Sequence, residues 1–126
     1  MNVFMVFIVM LFFHVLDDFH FQGILASMKQ RDWWDENYPS PLYKFDYMCA
    51  LGMHAFSWTF MIMLPLLFCL RFHPTEAWWL AFVCNFIIHA SVDDLKANAK
   101  VINLWTDQLI HIAQIMFTIF AVGLSM

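Results

Sequence analysis

Four apolar stretches, each long enough to cross a membrane as a helix, carry a histidine apiece: His14, His54, His89 and His111. Three of them add an aspartate at a spacing of four, pairing His14 with Asp18, His89 with Asp93, and Asp107 with His111. On an α-helix, residues i and i+4 share a face, one turn apart. Ionisable side chains are expensive inside a bilayer, and those found there face a protein interior and mark function. Such a chain is expected to gather its polar groups inside a bundle, and a bound metal is the simplest way to keep them there.

The composition agrees with a membrane setting. The 126 residues are 63% hydrophobic and 13% charged, against about 45–50% and about 25% in ordinary soluble domains. That leaves too little polar surface to wrap a soluble bundle. The expected fold is all-α, a single integral-membrane four-helix bundle (1–126) with antiparallel neighbours. Its spans are expected at about 3–28, 43–70, 76–98 and 101–126, each close to the 30 Å hydrocarbon thickness at about 1.5 Å per residue. A polar, Trp-rich connector separates the first two spans, and Pro65 falls near the far end of the second, where lipid tolerates a kink. Thr75 is placed to cap the third. The N-terminal stretch has no basic region and no small-residue cleavage site, so it reads as a retained span rather than a signal peptide. Cys49, Cys69 and Cys84 stand apart with no C-x-x-C spacing and are expected to be buried free thiols. A net charge of −4 argues against nucleic acid as a partner.

Basic residues set the expected orientation. Lys29, Arg31 and Lys44 flank the first connector and Lys96 and Lys100 the third, against Arg71 alone at the second. Both termini are therefore expected on the non-cytoplasmic face. Trp33 and Trp34 would mark the inner interface, and Trp78 and Trp79 the outer. This topology brings His14, Asp18, His54, His89, Asp93, Asp107 and His111 to one depth, in the cytoplasmic half.

Those seven are the candidate metal ligands. Imidazole and carboxylate suit zinc, manganese or iron, and four-helix bundles build such sites from facing helices. At about 100° per residue, Asp17 lies roughly 60° from His14, within reach of the same cavity, whereas His20 and Asp94 turn away. Asn103 is expected to continue the polar stripe of the fourth span, and Lys96 that of the third. Gln22, Lys96 and Gln108 are candidates for steadying a reacting group. Three aspartates and one lysine leave about two negative charges, which one divalent ion would neutralise; two ions would create a positive receptor for phosphate.

Taken together, three segments carry a resemblance. His14-Val-Leu-Asp-Asp18-Phe19-His-Phe-Gln22, His89-Ala-Ser-Val-Asp93-Asp-Leu-Lys96 and Asp107-Gln108-Leu-Ile-His111 resemble small bacterial and phage membrane proteins of unknown function. That family shares the patterns H-x-x-x-D-F-x-x-Q, H-x-x-x-D-x-x-K and D-Q-x-x-H, usually with a histidine in the second span, where His54 stands. The long acidic connector and the extra Asp17, His20 and Asp94 depart from it. The resemblance implies a bacterial inner-membrane or phage-encoded setting and no particular reaction. A looser similarity to membrane-bound metal-dependent hydrolases implies hydrolysis.

The leading expectation is thus a metal-dependent membrane hydrolase using one or two divalent ions on an amphiphilic, lipid-linked or phosphate-bearing substrate. Two rivals differ in class. A metal-ion or proton transporter would need polar stripes reaching the outer face, which 3–13 and 118–126 lack. A non-enzymatic effector, acting as a homo-oligomer or on a host membrane protein, would use a structural metal or a polar network.

Overall fold

In a computed structural model, which describes residues 2–124, the chain is all-helical, with no strand among the described residues. Asn2 caps α1 (Val3–Leu16) by accepting from the Met5 amide at 2.8 Å. The helix then widens into a π-helical turn at Asp17–Phe21, closed by Gln22 N–H on Asp17 C=O. Gly23, at φ 50°, ends it. The expected first span to residue 28 is therefore divided: Leu25–Met28 forms a separate single turn, α2. Glycine supplies this break because a left-handed backbone carries no Cβ penalty there.

The connector is more ordered than its polarity suggested. It forms α3 (Arg31–Asn37), whose Trp34 turns inward and donates its indole N–H to Met28 C=O at 2.7 Å. Three long helices complete the chain: α4 (Asp46–Cys69), running through Pro65, α5 (Glu76–Ala97) and α6 (Leu104–Gly123). Thr75 caps α5 as expected, accepting from the Trp78 amide at 3.2 Å. Asn103 is a cap as well, accepting from the Thr106 amide, so it leaves the polar stripe assigned to it. The fourth span was expected to reach residue 126; Met1, Ser125 and Met126 lie outside the described residues.

The stretches Val3–Phe21, Pro41–Cys69 and Leu104–Gly123 are long and apolar enough to cross a membrane. α5 has the length, at 22 residues, but carries Asn85, His89, Asp93, Asp94 and Lys96. The long helices touch in the cyclic order α1, α4, α5, α6, with α6 returning to α1. Their outward faces show Phe4, Phe12, Leu80, Val83, Phe117 and Phe120. One half of the interior is apolar: Met10, Trp58, Ile62, Met63, Leu66 and Ile115 are fully buried there. The other half holds the ionisable groups.

Two details correct the sequence reading. Cys49 and Cys84 are exposed on outward faces rather than buried. Of the tryptophan pairs, only Trp33 and Trp79 turn outward; Trp78 is buried and donates to Met63 C=O. In each pair, adjacent residues on one helix cannot share a face.

The first connector and the α5–α6 turn meet at one end of the bundle. Asn98 accepts from the Arg31 amide at 2.7 Å and donates to Lys29 C=O at 3.1 Å, and Lys100 Nζ bonds Asp32 at 2.5 Å. Lys100 holds the Asp32 carboxyl below its ordinary value. That tie is present above the ordinary carboxylate value and is lost as pH falls through the lowered one.

Candidate metal centre

The π turn decides what α1 contributes. With a wider ring, successive residues turn through a smaller angle, and the adjacent Asp17 and Asp18 both face inward, 1% and 6% exposed. π-helical turns of this kind recur at functional sites. Asp17 accepts from Ser57 at 2.5 Å, and Gln22 donates back to Asp18 C=O. His20 is exposed, and Asp94 is engaged by Asn98 at 2.7 Å, away from the cluster.

All seven expected residues converge, but in two different ways. His14 is a fully hydrogen-bonded strut. Trp58 donates its indole N–H to His14 Nδ1 at 2.8 Å, so the ring proton sits on Nε2 and bonds Gln108 Oε1 at 3.0 Å. The Gln108 amide then donates to Asp107 Oδ2 at 2.9 Å and Asp18 Oδ2 at 3.3 Å. No lone pair remains on His14 for a metal. Its role is to aim two carboxylates through Gln108, as residues behind a ligand shell do.

The other six form the cluster itself. His54 Nε2 lies 3.2 Å from His89 Nε2, 3.2 Å from Asp18 Oδ1 and 3.3 Å from Asp93 Oδ2. His89 Nε2 is 3.8 Å from Asp18 Oδ1 and 3.9 Å from Asp93 Oδ2. His111 Nε2 stands between Asp93 Oδ1 at 3.4 Å and Asp107 Oδ1 at 3.3 Å. Every one of these side chains is buried.

Hydrogens alone do not satisfy this arrangement of neutral rings. Gln114 donates its amide to Asn85 Oδ1 at 3.2 Å, which turns its Oε1 toward His111 Nδ1 at 2.9 Å. With a neutral ring, this contact takes the proton on His111 Nδ1 and leaves Nε2 facing two carboxylate oxygens. Asp18 Oδ1, Asp93 Oδ1, Asp107 Oδ1 and His111 Nε2 are buried and make no hydrogen bond among the described residues. Unsatisfied buried polar atoms in such number call for an explanation, and a bound cation would satisfy them.

The spacing suits a metal. Tetrahedral zinc with bonds of about 2.0–2.1 Å sets its ligand atoms roughly 3.3–3.5 Å apart. Asp18, His54 and His89, and separately His89, Asp93 and His111, bring one ligand atom each within 4.8 Å of one another, so these buried groups could hold a metal ion. Asp107 stands beside these two sets, held by Lys96.

Two lysines complete the charge balance. Lys29, 6% exposed, reaches Asp93 Oδ2 at 2.6 Å, and Lys96 reaches Asp107 Oδ2 at 2.6 Å. The sequence placed Lys96 on the Asp93 stripe, one turn on; its long stem carries the ammonium across to α6 instead. Four buried aspartates against two lysines leave two negative charges with neutral imidazoles.

Sequence reasoning missed three contributors. Trp58 stacks on His89 at 4.0 Å and 12° while bonding His14. Lys29 looked like an interfacial charge, and nothing in its local sequence announces burial. Asn85 was also overlooked: with Thr118 at 2.6 Å and Gln114, it extends the polar column toward the apolar half.

Comparison of the chain with protein-family models, curated proteins and solved structures finds no significant match.

Proposed function

We propose that this chain is a metal-dependent membrane hydrolase whose His/Asp centre lies in the cytoplasmic half of a four-span bundle with antiparallel neighbours. The observation that carries the reading is the set of buried imidazole nitrogens and carboxylate oxygens 3.2–3.4 Å apart, among which Asp18 Oδ1, Asp93 Oδ1, Asp107 Oδ1 and His111 Nε2 make no hydrogen bond among the described residues. A divalent ion bound there would polarise a phosphoryl or carbonyl oxygen and acidify a bound water. His14 and Gln108 hold the carboxylates in register, while Lys29 and Lys96 supply positive charge to an anionic group.

A lipid-like substrate is supported by a groove of about 610 Å³ between α5 and α6. Leu80, Ile88, Ile110 and Phe117 line it, and its floor includes Gln114, which bonds His111 directly. An alkyl chain lying there would be one side chain away from the cluster.

Detergent-purified protein is expected to carry a divalent transition metal in stoichiometric amount and to hydrolyse a lipid-linked phosphate ester or related amphiphile. Elemental analysis and thermal unfolding with added zinc or manganese test the first part, because a ligand of the folded state raises apparent stability. Absence of metal together with no stabilisation would end the metal reading. Metal without turnover, in a site closed by protein ligands alone, would favour the effector with a structural ion. Its specific support is the burial of every ligand. A transporter is opposed by the apolar half of the interior, where Met10, Ile62, Leu66 and Ile115 leave no polar path.

The setting proposed is a bacterial inner membrane, with α5 crossing it as the third span beside the three more apolar ones. Both termini should be non-cytoplasmic, because Lys29, Arg31, Lys44, Lys96 and Lys100 lie at the opposite ends of the spans from Arg71. A C-terminal reporter active only in the cytoplasm, fused to the full chain, should be silent; an active one would reverse the sidedness.

A further inference from the structure

We propose that the centre holds two ions, bridged by the Asp93 carboxylate and filled in sequence. The inference rests on the metal reading and deepens it. Asp93 turns one oxygen each way: Oδ2 lies 3.3 Å from His54 Nε2, while Oδ1 lies 3.4 Å from His111 Nε2. His89 belongs to both ligand sets, Asp18 and His54 on one side and Asp93 and His111 on the other.

The two positions differ in what surrounds them. The first has four donor atoms from three helical segments: His54 Nε2, His89 Nε2, Asp18 Oδ1 and Asp93 Oδ2, enough to close a tetrahedral shell. The second has His111 Nε2 and Asp93 Oδ1 facing each other, with Asp107 Oδ1 at 3.3 Å on the far side of the imidazole nitrogen. It has three protein donors against the first position's four, so a four-coordinate ion there would take one further ligand, water or an anion.

Charge fixes the order of filling. One divalent ion cancels the two uncompensated negative charges, so it binds to an attractive site. A second ion enters a neutral cluster and leaves it positive, so it binds more weakly and brings an anion with it. Metal pairs of this type sit about 3.5–4 Å apart and clamp the oxygens of a displacement reaction from both sides.

Manganese(II) titrated into metal-free full-length protein in detergent, followed by electron paramagnetic resonance, tests this. Two ions per chain are expected in two separable steps, with the isolated six-line signal of the first giving way to an exchange-coupled spectrum on the second. Asp93→Asn has a single carboxamide oxygen and should lose the coupled spectrum. His111→Ala, which spares the first position, should bind one ion and keep the isolated signal. Saturation at one ion per chain would overturn the pair, and a coupled spectrum surviving in Asp93→Asn would overturn the Asp93 bridge; either leaves the metal reading intact. Failure to bind any manganese or zinc would remove both.

Discussion

Replacing His89 by alanine is expected to abolish metal retention, whereas His20→Ala leaves it unchanged. His89 is common to both ligand sets and is fully buried against the indole of Trp58. Loss of a residue behind the ligand shell lowers affinity by roughly 10–100-fold, and loss of the shared ligand should exceed the top of that range. His20 sits on the same helical segment as Asp18 yet faces outward. Metal content of the two purified variants, measured beside the parent chain, separates the cases. Equal metal in all three would show that the cluster owes nothing to its imidazoles.

Lys29→Met should have the second-largest effect, and its size should depend on metal. Without an ion, the substitution leaves Asp93 as a buried carboxylate facing His54 and His111 with its strong ammonium partner gone. Breaking a buried pair in this way costs about 3–5 kcal/mol. Saturating zinc should recover much of that loss, because the ion supplies positive charge to the same carboxylate and binds only the folded state. Unfolding in mixed detergent, with and without zinc, measures the difference. A loss unchanged by zinc would mean that Lys29 and the ion do not serve the same group.

Much of this site is legible in the sequence, because its logic is helical. The spacing of four in His14–Asp18, His89–Asp93 and Asp107–His111 survives in the structure as shared faces, and their common depth follows from where each span turns. What the sequence does not carry is the direction of long side chains across helices. Lys96 shares a stripe with Asp93 but bonds Asp107, and Lys29, thirteen residues beyond the end of α1, folds back to Asp93. A uniform 100° wheel brings Asp17 within reach of the same cavity, but it does not anticipate the π turn that seats it beside Asp18. His14 illustrates a third limit. Its residue type and spacing are those of a ligand, and only the partners Trp58 and Gln108 reveal that both nitrogens are already used.

In the proposed four-span reading, the pairing of Lys29 with Asp93 bears on how the chain enters a membrane. A charged residue in an inserting helix is penalised by up to about 2.5–3.5 kcal/mol at the helix centre and less towards its ends. α5 carries Asp93 four residues before its C-terminal end, among several other polar groups. Taken alone, it is a poor candidate for release into lipid. Lys29 and the histidine-bearing faces of α1 and α4 are synthesised earlier, so a complementary surface exists before Asp93 leaves the ribosome. α5 can thus be received by protein rather than by hydrocarbon, with α6 following to cover its remaining polar face through Lys96, Gln114 and Thr118. Biogenesis of this small chain is then an act of assembly, in which the first half serves as the solvent for the second.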